Sequence, residues 1–178
     1  MKNVWMYFLI LVATVNVMVA QEKKMEVTGY RGDVIGQFQF AGGRVMELAK
    51  AIPAEKYSWR PAEGVRSIGE VIMHVAGGNY YLLGMAGIKG KELAKDYEKE
   101  TNKEKILAEL KESMDWAKES VMKMSDSDLE TKVKIFGGQE STKRNVLMIV
   151  VGHHHEHLGQ LIAYARMNGI TPPWSVKE

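Results

Sequence analysis

The chain of 178 residues contains no cysteine. That absence excludes disulfides, a thiolate nucleophile and a lipid joined through an N-terminal cysteine, and it leaves only nitrogen and oxygen to hold a metal ion. Excess charge is also missing, because 24 Lys and Arg stand against 22 Asp and Glu for a formal net charge of +2. Such a surplus is too small for a phosphate-binding footprint, so nucleic acid is not an expected partner. No segment reads convincingly as a sheet, and there is no internal repeat or low-complexity tract. The longest apolar run falls short of the ~20 residues that span a bilayer.

What is present is the balance of an ordinary soluble globular protein, 46% hydrophobic and 26% charged, at a length that suits one domain. The first twenty residues differ from the rest: Lys2, the apolar run Val4 to Val15, then Val17 to Ala20 before the polar Gln21-Glu22-Lys23-Lys24. This is the layout of a secretory signal peptide cleaved after Ala20. The expectation is therefore a leader over residues 1–20 and one domain over 21–178. The protein would be exported, periplasmic or secreted, with no stable membrane anchor after cleavage.

Four segments carry helical periodicity. The first, about Tyr30 to Ala51, repeats Val34, Phe38, Ala41, Val45 and Leu48 and stops before Pro53. A connector containing Tyr57-Ser58-Trp59-Arg60-Pro61 leads to the second, about Ser67 to Gly87, opened by a Ser67/Glu70 capping box. The third opens at Thr101 with a similar pair, Thr101 and Glu104, and carries Ile106, Leu110, Met114, Ala117 and Val121 on one face. The fourth follows the loop Phe136 to Glu140, runs from about Thr142 to Met167 and ends at Asn168-Gly169. Its stretch Val146 to Val151 is apolar nearly all round, which predicts the most buried helix of the four.

All five histidines lie in two of these helices: His74 in the second, and His153, His154, His155 and His157 in the fourth. On a helix, residues four apart lie one turn apart on one face, so His153 and His157 have the spacing two imidazoles need to grip one ion. His154 and His157 are an alternative pair, whereas His155 points elsewhere. His153 and His157 interrupt a core-facing seam with Val146, Val150, Gln160 and Tyr164, where unpartnered imidazoles would cost a few kcal/mol. Glu156 falls on the opposite, solvated side. His74 alone would read as a core histidine, but facing a histidine pair across a bundle it becomes a third ligand, with Gly77 and Gly78 leaving room beside it. Glu70, one turn before His74, is a candidate fourth ligand, outer acceptor or proton acceptor besides its capping role.

These stretches resemble the DinB/YfiT-like superfamily of candidate metalloenzymes. The likeness lies in Tyr57 to Pro61, in Val65 to His74, in His153 to Tyr164 read as H-x-x-x-H-x-G-Q-L-x-x-Y, and in Arg166 to Pro173. It implies an all-α four-helix bundle with a variant of up-and-down connectivity, often dimeric, so a homodimer is expected. It favours His153 over His154, and it implies one divalent transition metal ion (nickel, zinc or iron) on His74, His153 and His157.

Relatives of this kind include thiol-dependent transferases and proteins regarded as hydrolases. Thiol cofactors are mainly cytoplasmic, so the apparent leader here favours the hydrolase: water acidified by the ion, Glu70 moving the proton, and Tyr80 or Tyr81 touching an unknown small-molecule substrate. A metal- or ligand-binding bundle without turnover is the second reading. A structural bundle whose histidines only bond to one another is the third.

Overall fold

The computed structural model describes residues 28–175, so the expected signal peptide over residues 1–20 lies outside the described residues. Helices form where the periodicity places them: α1 Gly29–Ala51, α2 Ile68–Met85, α3 Lys103–Lys123 and α4 Lys143–Met167. Their ends follow from side-chain chemistry. Ser67 caps α2 in a complete capping box, its N–H donating to Glu70 Oε2 at 2.6 Å while Glu70 N–H donates to Ser67 Oγ at 3.3 Å. Thr142 caps α4 by accepting from the Asn145 amide. At the other end, Gly169 takes the positive φ of 73° that stops α4.

The start of α3 corrects the expected Thr101/Glu104 box. Asn102 is the cap, accepting from the Lys105 amide at 3.0 Å, and the amides of Thr101 and Asn102 both donate to the Glu100 carboxylate. A small sheet also forms where none was expected. Strands β1 (Lys132–Lys134) and β2 (Glu140–Thr142) pair antiparallel, with Val133 opposite Ser141. Strands of three residues, with Val133 the one apolar residue between them, are too short to carry a legible alternation. The turn between them relies on positive φ at Gly137 and Gly138.

Around the bundle, α1 packs against α3 and α4, and α2 packs against the same two helices. Thus α1 lies diagonally across from α2, and α3 across from α4, unlike a simple up-and-down bundle. Two apolar clusters fill the interior. One joins the C-terminal half of α1, the N-terminal halves of α2 and α3 and the C-terminal half of α4, through Leu48, Ile72, Ile106, Leu110 and Leu161. The other joins the opposite ends through Val34, Phe38, Leu83, Val121 and Leu147. Hence α2 and α3 are parallel neighbours. The chain between them, residues 86–102, must run back along the outside of α2 before α3 can begin.

That returning segment reverses the expected order of burial. Of the 18 residues of α2, 13 are buried, against 10 of 25 in α4. The segment covers a face of α2 that solvent would otherwise reach, whereas α4 leaves Met148 54% exposed despite its apolar run. No described helix is long and apolar enough to cross a membrane.

Candidate metal centre

Helices α2 and α4 are antiparallel neighbours, so His74 meets His157 and Gly78 meets His153 one turn further along. The three ring centroids lie 4.5 to 5.1 Å apart, and one nitrogen of each ring lies within 4.8 Å of the others. Among the described residues this is the one group of three His, Asp or Glu side chains able to surround an ion. His154, the alternative member of the i, i+3 pair, faces away from the group. It is fully buried, its Nε2–H donating to Asn79 Oδ1 at 2.7 Å, and the Asn79 amide donates in turn to Ser113 Oγ.

The outer nitrogens fix the tautomers. His74 Nδ1–H donates to Glu98 Oε1 and His157 Nδ1–H donates to Gln160 Oε1, each at 2.8 Å. Both acceptors are themselves anchored, Glu98 by the Arg66 guanidinium and Gln160 by its amide donating to the Tyr164 hydroxyl. This arrangement presents the remaining lone pair of each ring inward, as metal-binding histidines require. Burial, reinforced by the neighbouring imidazoles, pulls the His153 pKa down to about 4. Burial also lowers that of His157, although its bond to Gln160 works the other way. Neutral rings with free lone pairs therefore prevail at neutral pH.

The residues fit a divalent ion. Three nitrogen ligands leave at least one position open, two are supported from outside, and the buried His153 Nδ1 has no hydrogen-bond partner. An uncoordinated cluster of this kind would be expensive to bury. Beside it opens a cleft of about 630 Å³ whose lining includes Arg60, Arg66, Glu70, Glu98 and Gln160. Glu98 and Gln160 thus belong both to the cleft wall and to the support of the histidines.

Sequence comparison identifies the family. Residues 37–161 match the family model of the DinB superfamily. The chain belongs to the DinB superfamily. A DinB-like protein from Bacillus cereus ATCC 10987 has a similar fold, with a TM-score of 0.69 at 23% identity, covering 81% of this chain and 95% of that one. The DinB-like YjoA of Bacillus subtilis gives 0.63 at 20% identity, with 78% and 94% covered. YfiT of Bacillus subtilis gives 0.65 at 13%, with 83% and 93% covered, and is described as a probable metal-dependent hydrolase with an unusual four-helix bundle topology. No curated protein matches the sequence.

In this DinB chain Glu70, expected to act at the ion, bonds instead to the Ser67 amide and to Arg60, with Arg60 Nη2 3.0 Å from Oε2. Among the described residues it makes no hydrogen bond to the three histidines. Glu98 holds the place beside His74, because the segment that returns along α2 carries it there. Tyr80 is buried, its hydroxyl donating to Glu109, and Tyr81 is 64% exposed near Phe136. Both line a second groove, with Tyr97, rather than the cleft beside Glu98. Glu156 and His155 are exposed, as expected.

Gly78 makes the close approach possible, since a Cβ there would overlap the His153 ring and stand 2.9 Å from its Nδ1. Gly78→Ala should push His153 out of the group and weaken metal binding by about tenfold or more, the scale of lost ligand support. Gly159→Ala, on α4 with nothing near its added methyl, should leave metal binding unchanged and stabilise the fold by up to about 1 kcal/mol. Competition with a chromophoric chelator checks both; equal affinities in the two variants would contradict this account of Gly78.

Proposed function

We propose that this protein is a metal-dependent hydrolase in which His74, His153 and His157 hold one divalent transition metal ion, nickel, zinc or iron, beside a cleft for a small-molecule substrate. The observation that carries the reading is the convergence of three imidazoles, two of them supported from outside, next to that open cleft. The description of the structurally similar YfiT points the same way. When bound, such an ion supplies Lewis acidity, which makes water a usable nucleophile near neutral pH and polarises an ester or amide carbonyl.

The chain's own residues orient and support. Glu98 keeps the His74 ring in place. Burial raises the tendency of its carboxyl to hold a proton, but the bonds from Arg66 and His74 prevail and keep it ionised. With both oxygens engaged, Glu98 acts as an anchor rather than a base. Glu70 faces the same cleft and is the carboxylate left to accept a proton there. Its bond from the Ser67 amide, aided by Arg60 against the effect of burial, holds its pKa below the usual carboxylate range, so it is ionised but weakly basic.

Stripping the protein with a chelator and restoring nickel, zinc and iron one at a time tests this, using activated esters and amides as substrates. Hydrolysis should vanish on stripping, return with one ion and be absent from His153→Ala. An ion retained tightly without turnover of any ester or amide would favour the non-catalytic binding bundle.

The reading includes export, supported by Lys2, the apolar run and the small Ala20 before a polar stretch. N-terminal sequencing of protein from its native cells should begin at Gln21. A chain beginning at Met1 and confined to the cytoplasm would contradict it.

A further inference from the structure

The cleft that borders Glu98 and Gln160, the outer supports of His74 and His157, carries a pattern of charge. Its mouth holds two ion pairs, Arg60 with Glu70 at 3.0 Å and Arg66 with Glu98 at 2.8 Å. Each arginine cancels its own glutamate, so the double charge of an ion on three neutral imidazoles would remain uncompensated. Arg66 is the better placed of the two arginines to meet a ligand. Its Nε and Nη2 donate to Glu98, and Glu98 in turn accepts from His74, so the guanidinium is fixed one carboxylate away from the ring. A guanidinium has five N–H donors, and Glu98 takes two of them. Among the described residues nothing accepts from the other three, and Arg66 lines the cleft at 44% side-chain exposure. Gln160 stands in the wall of the same cleft, and its carbonyl is already committed to His157.

We propose that Arg66 is a specificity-determining residue: its free donors receive an oxyanion group, carboxylate or phosphate, of the substrate, so that the cleft selects anionic small molecules. The inference rests on the metal-dependent reading, because without the ion the paired charges cancel and leave no net attraction. A planar guanidinium suits carboxylate and phosphate alike through paired N–H bonds. Arg66 would thus hold the substrate's charged end one carboxylate away from the His74 ring, while Glu98 prevents the guanidinium from swinging away. Linkage makes the effect mutual: an anion that binds better to the loaded protein also raises the affinity for the ion.

The test is calorimetric titration of the cobalt-loaded protein with succinate, inorganic phosphate and the neutral succinamide, with metal content measured on every sample. Succinate or phosphate should bind at least about tenfold more tightly than succinamide, and whichever binds better identifies the group. With both proteins fully loaded with cobalt, Arg66→Gln should lose about tenfold in that affinity, with Arg66→Lys in between. Equal binding of anion and succinamide by loaded protein, or undiminished anion binding by Arg66→Gln, would overturn the proposal while leaving the metal centre standing. Loss of both metal and anion binding in Arg66→Gln, with anion binding regained once the variant is fully reloaded with cobalt, would also overturn it, leaving Arg66 only as a support for Glu98. Wild-type protein that takes up no metal would instead remove the reading on which the proposal depends.

Discussion

Imidazole nitrogens taken out of water must find partners, and the middle of this bundle is arranged around three rings of which two do so within the protein and the third, His153, does not. Glu98 and Gln160 accept from the outer nitrogens of His74 and His157, and the inner nitrogens are left to converge. An apolar seam would have packed α2 against α4 at less cost. The seam instead carries three histidines, a glycine cut away to admit one of them, and anchors for the acceptors of two. A cation at the centre would account for each of these features.

The second constraint is topological. Because α2 and α3 run parallel, the chain has to return along α2, and this detour brings Tyr97 over Gly77 and Glu98 against His74. The same detour makes α2 the most covered helix. A simple up-and-down bundle would place a short loop there and leave His74 without its carboxylate. The connector before α2 contributes in a similar way: Arg60 and Arg66 flank a loop that Arg60 steadies by donating to the Val65 carbonyl. The metal-facing rings come from helices, and the charged rim comes from the two connectors and from Glu70 in the first turn of α2.

Much of this was legible in the residues. Periodicity located four helices, the Ser67/Glu70 pair marked the start of α2, and histidine spacing with His74 opposite, narrowed to His153 and His157 by the family resemblance, identified the facing rings. The illegible parts share a cause, in that each depends on contacts distant in sequence. Glu98 lies in a polar stretch with no local signal, and only the parallel packing of α2 and α3 delivers it to His74. Glu70, one turn from His74, is held by the capping box and Arg60 away from the rings, which its spacing alone could not show. The β1–β2 hairpin is too short and too polar to show alternation, and the apolar run of α4 could not reveal which of its faces the bundle leaves open. Gln160 could have been found, since it lies on the seam three residues after His157, within reach of that ring.

The central claim is that three histidines from α2 and α4 bind one metal ion. It is tested most directly by elemental analysis of the protein purified without a histidine tag, alongside His153→Ala and His157→Ala. The account predicts about one equivalent of a single transition metal in the wild type, the stoichiometry of a three-histidine site, and its loss from both variants. Wild-type protein that holds no metal even after reconstitution, or variants that hold as much as the wild type, would contradict it.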